Sequence, residues 1–270
     1  MPNEINSLSL DTLCAALTGV MGVEAPREAA APAEVLLDYA AKAFDGAKAD
    51  RIFMYNPDAI GQWVYEKYPN LVKEATKLTD LEIPFCTVMS SVTPVCFGTM
   101  YTGAQPEVHG IRSYVKPVIA IDTFFDAMIR AGKKIALVAH TGSSMAKIFL
   151  ERKMDYCIYD TAEELSAKAA ELILRDEHDV ICVYHDTYDT IMHKYGPESV
   201  EALSELRANV CSFAMFSALI EEKWKKHNTL VGFAMDHGCH EIDGGCGAHG
   251  LDMPEDLNIK HLYKAYPAAK

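Results

Sequence analysis

The order of apolar and amphipathic segments constrains the fold of this chain more than any other feature. Short apolar runs that are typical of buried strands lie at 51–55, 84–88, 134–139, 155–159, 180–184 and 230–235. Amphipathic stretches that are typical of helices lie between them, including 35–44, 121–131, 162–175 and 199–224. Because strands that alternate with helices build a mostly parallel sheet covered on both faces, the sequence predicts a three-layer α/β/α sandwich.

Length and charge limit the size class and the partners of the chain. Its 270 residues, 50% of them hydrophobic, can bury one large core, which predicts a single domain over 1–270. The formal net charge of -13 disfavours a nucleic-acid groove, because such a groove needs a basic stripe. A small anionic substrate would therefore need metal ions to receive it. The eight cysteines form no short disulfide framework and are interpreted mostly as buried free thiols.

The N-terminal segment lacks the features of a secretory signal. Its apolar run at 13–23 has no positively charged start, because the first basic residue is Arg27. No uninterrupted apolar segment is identified as long enough to span a membrane. We therefore expect a cytoplasmic protein without a membrane partner, and we leave open whether it forms a homo-oligomer.

Five side chains suited to binding metal ions come from three separate segments. Asp189 and His193 are four residues apart and share one face if the chain between them is helical. Asp236 and His237 follow an apolar run, where a buried strand stops and a site at the edge of the sheet would begin. His249 follows later in a glycine-rich segment. Mixed carboxylate and imidazole ligands suit zinc or manganese better than calcium, so two divalent ions are predicted.

A hydroxyl residue followed by proline marks a helix start within SSVTPVCFGTMYTG. The pair predicts Thr93 at the helix cap and Pro94 in the first turn. Free backbone N–H groups and the positive end of the helix dipole favour phosphate at such a position. An ordinary capping role is the competing interpretation. A metal ion at its oxygen would instead lower the pKa of the hydroxyl and make Thr93 a nucleophile at neutral pH.

These motifs resemble the alkaline phosphatase superfamily, most closely its type I phosphodiesterase/nucleotide pyrophosphatase branch. The resemblance extends over nearly the whole chain and is carried by four motifs in order. They are YNPDAIG with Asp58, TPVCFGTMYTGAQPEVHGI with Thr93, D-x-x-x-H-x-x-G-P at 189–197, and DHG at 236–238 followed by HG at 249–250. The resemblance implies an alkaline phosphatase-like fold, and because the chain is short for that superfamily we expect no large cap insertion.

The resemblance also implies a ligand set and a reaction. One divalent ion would be held by Asp189, His193 and His249. The other would be held by Asp58, Asp236 and His237, with Thr93 lying between the ions as ligand and nucleophile. The implied activity is hydrolysis of a small phosphate ester, a phosphodiester first, through a phosphothreonine intermediate. Zinc is the expected metal, and manganese is the alternative.

Departures from the branch bear on the substrate. Cys96 stands three residues after Thr93, where the branch usually has an asparagine, and a thiol is a poor donor to a phosphoryl oxygen. No C/S-x-P-x-R pattern is present, which disfavours sulfatases, and the missing cap disfavours phosphomutases. Arg112 and Lys116 are candidates for binding the anionic end of a substrate, with plain surface charge as the competing interpretation. Monoesters and phosphonates therefore stay open as substrates.

Other polar residues have two interpretations each. His109 could face the site or bond to the backbone of its own loop. His185 and Asp186 compete with Asp189 for the ligand role, and the helical spacing to His193 favours Asp189. Three further side chains could support the metal-binding histidines or lie in an exposed loop: His240, Glu241 and Asp243. A catalytically silent phosphate or nucleotide binder with structural metal sites is the alternative to an enzyme.

Overall fold

An eight-stranded sheet lies at the centre of the computed structural model, which describes residues 4–269. Its strands are β1 Leu8–Ser9, β2 Arg51–Pro57, β3 Leu81–Cys86, β4 Ile135–His140, β5 Asp155–Tyr159, β6 Val180–His185, β7 Thr229–Phe233 and β10 Asn258–Tyr266. Their order across the sheet is β1-β3-β10-β7-β2-β6-β4-β5. Two short strands, β8 His240–Ile242 and β9 Cys246–Ala248, pair as a separate antiparallel hairpin.

Helices cover both faces of this sheet. They are α1 Thr12–Val20, α2 Glu34–Ala43, α3 Gln62–Lys67, α4 Pro69–Leu78, α5 Thr93–Thr102, α6 Pro106–His109, α7 Phe124–Arg130, α8 Ser144–Ile148, α9 Ala162–Arg175, α10 Thr187–Tyr195, α11 Val200–Lys223 and α12 Pro254–Leu257. Successive side chains of a strand point to opposite faces. Tyr55 of β2 bonds to Asn209 of α11, whereas the next residue, Asn56, bonds to Tyr101 of α5. The chain therefore has the three predicted layers.

The sheet is parallel except where β10 takes part. Strand β10 lies between β3 and β7 and runs antiparallel to both, whereas the other described strand pairs of the sheet are parallel. The six strands and four helices predicted from the sequence are all present; β5 and α9 have the predicted ends, and the ends of the others are shifted. Strand β10 was not predicted, because Lys260, His261 and Lys264 interrupt its apolar run. The predicted fold class, a mostly parallel α/β/α sandwich, is confirmed.

Helix α11 is the one described helix that is long and apolar enough to cross a membrane, by length and composition alone. The core helix of a soluble protein passes the same test. Its buried face carries Phe213 and Phe216, and the Phe216 ring lies 5.4 Å from Phe53 and 5.8 Å from Tyr55 of β2, centroid to centroid. In this structure α11 thus packs on the sheet, and the absence of a membrane partner stays a prediction.

The carboxyl ends of three central strands lie side by side. Strand β2 pairs with β7 on one side and β6 on the other, so that Tyr55 aligns with Phe233 and Val183. The segments that follow these strands therefore meet at one edge of the sheet, where ligands of parallel α/β folds bind. The acidic candidates Asp58, Asp189 and Asp236 lie in those segments.

Candidate metal centre

Two clusters of metal-ligating side chains lie beyond this edge. In each cluster, one ligand atom from every residue lies within 4.8 Å of the others. The buried cluster consists of Asp58, Asp236 and His237, and the outer cluster consists of Asp189, His193 and His249. The structure thus brings together the same two groups of three residues that the resemblance implied, and their role as ligands stays a prediction.

In the buried cluster, hydrogen-bond acceptors face one another. His237 Nε2 lies 3.3 Å from Asp58 Oδ1 and 3.4 Å from Asp236 Oδ2. Both oxygen atoms are buried, and within residues 4–269 neither has a hydrogen-bond partner. His237 Nδ1 donates to the Gly238 carbonyl at 2.9 Å, which in a neutral ring turns the Nε2 lone pair towards the two carboxylates. A cation among these three atoms would satisfy all of them, so the donor set fits a metal ion.

The charges of the buried cluster support the same fit. Burial, followed by the charge of Asp189, raises the pKa of Asp58 to about 8. Burial, followed by the charge of Asp58, raises the pKa of Asp236 well above its usual range. Burial also lowers the pKa of His237 to about 3, so this ring is neutral and supplies no compensating charge. A divalent cation would offset the repulsion between the two carboxylates.

The outer cluster has the same arrangement with two histidines. His193 Nε2 and His249 Nε2 each lie 3.3 Å from Asp189 Oδ1, and the two nitrogen atoms are 3.1 Å apart. Their Nδ1 atoms donate to the carbonyls of Gly247 and Ser91, both at 2.9 Å. Contact with Asp189 raises the pKa of His193 to about 9. A proton on Nε2 and a metal cation would occupy the same place, so binding of the cation would release the proton.

Local structure explains how the outer cluster is assembled. Helix α10 carries Asp189 and His193 one turn apart, so the predicted shared face is confirmed. His249 follows the β8–β9 hairpin, which packs directly on α10. A Cβ atom at Gly247 would lie only 2.5 Å from Met192 Sδ, so glycine is needed where the hairpin meets the helix. This close approach also brings the Gly247 carbonyl to His193.

Thr93 is the first residue of α5, and its side chain lies beside the buried cluster. The predicted capping position is wrong by one residue, because Val92 is the cap and Thr93 is the first residue inside the helix. Thr93 Oγ1 instead lies 3.4 Å from Asp58 Oδ2 and 3.3 Å from His237 Nε2. The outer cluster is adjacent, since the ring centroids of His237 and His249 are 4.1 Å apart. The buried hydroxyl therefore lies within hydrogen-bonding range of the buried cluster.

Three supporting residues were not identified from the sequence. The Tyr184 hydroxyl donates to Asp58 Oδ2. Thr87 Oγ1 donates to the Asp236 carbonyl at 2.7 Å, and His261 Nε2 donates to the Met235 carbonyl at 2.7 Å. All three lie in or beside strands far from their partners in sequence. The alternation of β6 places Tyr184 and Val183 on opposite faces of the sheet, but Tyr184 meets Asp58 only because β6 pairs with β2.

The predicted substrate-binding residues lie outside both clusters. Cys96 is buried, and its thiol donates to the Ser90 carbonyl at 3.9 Å. Arg112 is exposed and donates to the Glu107 carbonyl at 3.5 Å. Lys116 Nζ donates to the Gly142 carbonyl at 3.1 Å. Their contribution to substrate binding stays a prediction.

His109 has the contacts of a structural residue. Its Nδ1 accepts the Ile111 amide at 3.2 Å, and its Nε2 donates to Thr99 Oγ1 at 3.1 Å. The ring fills the space beside Gly98 of α5, where a Cβ atom would come within 2.8 Å of it. His109 thus joins the HGI segment to the helix that begins at Thr93.

The remaining polar candidates bond elsewhere. His185 packs against Tyr55 on the α11 side of the sheet, with ring centroids 5.3 Å apart, and Asp186 pairs with His140 Nδ1 at 2.9 Å. His240 Nδ1 donates to Asp256 Oδ1 at 2.7 Å, not to a cluster histidine. Glu241 and Asp243 are exposed. Backbone carbonyls, and not these side chains, support the cluster histidines.

Solved structures provide the comparison with known proteins, since no family model and no curated protein sequence matches the chain. An inactive variant of murine ectonucleotide pyrophosphatase/phosphodiesterase 5 in complex with AMP aligns with a TM-score of 0.58 and 16% identity over 72% of this chain. The human protein of that name aligns with a TM-score of 0.57 and 14% identity over 72%. Phosphonoacetate hydrolase from Sinorhizobium meliloti 1021 aligns with a TM-score of 0.54 and 18% identity over 75%.

The aligned part spans only 59%, 58% and 61% of those three chains, respectively. At these identities the similarity shows a shared fold. The alkaline phosphatase-like fold that the motifs implied is therefore confirmed.

Proposed function

We propose that this chain is a metal-dependent hydrolase of phosphoric esters that acts through Thr93 and two divalent cations. The observation that carries the proposal is the position of Thr93 Oγ1, which lies 3.4 Å from Asp58 Oδ2 and 3.3 Å from His237 Nε2. A buried hydroxyl beside the Asp58 carboxylate is suited to become a nucleophile once positive charge is supplied. The shared fold with a phosphodiesterase and a phosphonate hydrolase supports the same reaction class.

The two clusters would hold the cations. Asp58, Asp236 and His237 would bind one, and Asp189, His193 and His249 would bind the other. When bound, such cations would lower the pKa of the Thr93 hydroxyl and of a water molecule and would neutralise the phosphoryl oxygens. Zinc fits the mixed carboxylate and imidazole donors, with manganese as the alternative.

The reaction follows from the position of Thr93. Its Oγ forms a bond to phosphorus while the bond to the leaving oxygen breaks, and the Thr93 proton passes to solvent or to the leaving group. Water then attacks the phosphothreonine, the bond to Oγ breaks, and the hydroxyl is restored. Asp58 orients the hydroxyl through Oδ2, and burial of Thr93 keeps competing water away from it.

A phosphodiester is the substrate we propose first. Among residues 4–269, no arginine or lysine forms a hydrogen bond with the Thr93 side chain. A basic side chain at this position would favour a monoester, because it would bind the dianionic phosphoryl group. We also expect no large cap insertion, which would leave space for a second ester substituent. We expect an aryl phosphodiester to be cleaved faster than the matching monoester and faster than an aryl sulfate. A preference for monoesters would contradict this choice of substrate but not the reaction class.

Turnover of an aryl phosphodiester by zinc- or manganese-loaded protein tests the proposal. Replacing Thr93 by alanine should lower kcat by at least about 10³-fold, because the covalent route is lost, with metal content near that of the wild type. Thr102→Ala is the matched control on the same helix, since this buried hydroxyl donates to the Gly98 carbonyl and accepts the Ala104 amide, away from both clusters. Equal turnover by wild type and Thr93→Ala would exclude Thr93 as the nucleophile. No turnover by a protein with two bound metals would favour a silent binder.

A further inference from the structure

A tyrosine beneath the buried cluster connects two parts of the proposed site. Strand β6 lies next to β2, and Tyr184 is the cross-strand partner of Asn56. Asp58 is two residues beyond Asn56 and points to the same face of the sheet. Tyr184 is only 2% exposed, so its ring lies within the core below the Asp58 carboxylate. The position is one at which a hydroxyl can reach a ligand without reaching solvent.

The two oxygen atoms of Asp58 have different surroundings. Oδ2 accepts the Tyr184 hydroxyl and lies 3.4 Å from Thr93 Oγ1. Oδ1 is buried and lies 3.3 Å from His237 Nε2, and it has no hydrogen-bond partner in the part of the chain that the structure describes. The tyrosine hydroxyl therefore engages one oxygen and leaves the other free for a cation.

The ring of Tyr184 is also fixed against the helix that carries Thr93. It packs edge-on against Phe97 of α5, with centroids 5.3 Å apart and an interplanar angle of 90°. Phe97 is one helical turn after Thr93. We propose that Tyr184 is a positioning residue that holds Asp58 in register with Thr93 and assigns Oδ2 to the nucleophile and Oδ1 to the cation. This inference deepens the proposed function and rests on it.

The competing interpretation is a buried tyrosine that merely needs a hydrogen-bond acceptor. The chain offers a matched control for this case. Tyr55 is also fully buried, but its hydroxyl donates to Asn209 on the opposite face of the sheet at 2.8 Å. Removing either hydroxyl should cost similar stability, whereas only Tyr184 touches a candidate ligand.

The experiment compares Tyr184→Phe with Tyr55→Phe and wild type. The zinc retained per chain is measured by elemental analysis after dialysis against increasing chelator concentrations. The two ions should be lost in separate steps, and His193→Ala identifies the step that belongs to the outer cluster. Loss of a residue that orients a metal ligand typically costs about 10–100-fold in metal affinity or activity. In Tyr184→Phe we expect a loss of metal affinity of this size at the buried cluster alone. We also expect kcat to fall while KM changes little. Tyr55→Phe should retain both metals as the wild type does.

Three outcomes would overturn the inference. One is unchanged metal retention and kcat in Tyr184→Phe, and a second is equal weakening of both steps of metal loss. The third is the same effect in Tyr55→Phe, which would indicate general loss of stability. Failure of the wild-type protein to bind two metals or to turn over any phosphate ester would instead contradict the proposed function, so the two failures are distinguishable.

Discussion

The buried and outer clusters are neighbours, yet they differ in exposure and in the elements that carry them. The side chains of Asp58, Asp236 and His237 are 0–1% exposed, whereas the His193 side chain is 43% exposed. The two acids of the buried cluster follow central strands, whereas a helix and the segment after a surface hairpin supply the outer ligands. The buried cluster also has two carboxylates, and the outer cluster has one.

This difference indicates that the two clusters bind their cations with different strength. Rigid strand ends and a low dielectric strengthen the attraction between the two carboxylates of the buried cluster and a cation. The same surroundings make the cation-free cluster unfavourable, because two buried carboxylates then repel each other. The more exposed cluster is screened by water and held by a helix and a hairpin. We therefore expect the buried cluster to bind its cation more tightly and the outer cluster to exchange its cation more readily.

Complete chelation should have the largest effect. Turnover should fall to background, because both cations are needed to offset the acidic charge around Thr93. The melting temperature should also fall, since a ligand at 100 times its Kd stabilises the folded state by about 2.7 kcal/mol. Activity assays and thermal unfolding at increasing chelator concentration measure both effects. Full activity after exhaustive chelation would contradict the two-metal proposal, and simultaneous loss of both ions would erase the difference between the clusters.

Asp236→Asn should have the next largest effect. The substitution removes one charge from a cluster whose ligands are wholly buried, so the loss of metal affinity there should exceed the roughly 10–100-fold caused by losing a supporting residue. Metal analysis should find the outer ion largely retained. Asp256→Asn is a suitable comparison, because that buried carboxylate bonds to His240 and the Leu251 amide outside both clusters. Loss of the outer ion alone in Asp236→Asn would require a different ligand assignment.

His193→Ala should weaken the outer cluster with a smaller effect. The ring is nearly half exposed, so water can fill its place, and we expect roughly 10–100-fold weaker binding of one ion. The buried-cluster ion should stay near full occupancy by elemental analysis. His227→Ala provides a control histidine. His227 pairs with Asp176 at 2.9 Å before the amino ends of β7 and β6, away from both clusters. Equal loss of both ions in His193→Ala would show that the clusters are not independent.

Thr93→Ser should have the smallest effect and should preserve both metals. The hydroxyl remains, and only the methyl group that stiffens its rotamer is lost. An off-rotamer hydroxyl costs about 0.5–1.4 kcal/mol, which corresponds to a roughly 2–10-fold decrease in kcat. Steady-state kinetics on the aryl phosphodiester measures this decrease. A loss as large as that of Thr93→Ala would mean that the methyl contact, and not the hydroxyl, is essential.

Local sequence patterns predicted much of the site because its residues lie at ends of regular elements. The spacing of Asp189 and His193 placed both on one face of α10, and the apolar run before Asp236 placed that residue beyond a central strand. The position of Thr93 within its helix was missed by one residue. The Thr93 hydroxyl contacts Asp58 and His237 and does not cap the helix. Local sequence could not predict these contacts, because both partners are far from Thr93 in the chain.

The supporting residues could not be predicted because their partners are set by the sheet. Tyr184 and Asp58 become neighbours only when β6 pairs with β2, and His261 reaches the Met235 carbonyl only because β10 is next to β7. A single sequence contains the alternation of each strand but not the order of the strands. Resemblance to a family supplied the grouping of the ligands into two clusters, which residue spacing alone had left open.

The insertion of β10 between β3 and β7 has a consequence for the order of assembly. Residues 258–266 come late in the chain, yet they pair with both neighbours and place His261 behind the Asp236 segment. Until they arrive, β3 and β7 each present an unpaired edge that another chain could join. Closing the pairing between β3 and β10 is slow, because these strands are far apart in sequence and the loop entropy is lost before the contacts form. The backbone amides of β3 that bond to β10 should therefore gain protection from hydrogen exchange during refolding only together with those of β10.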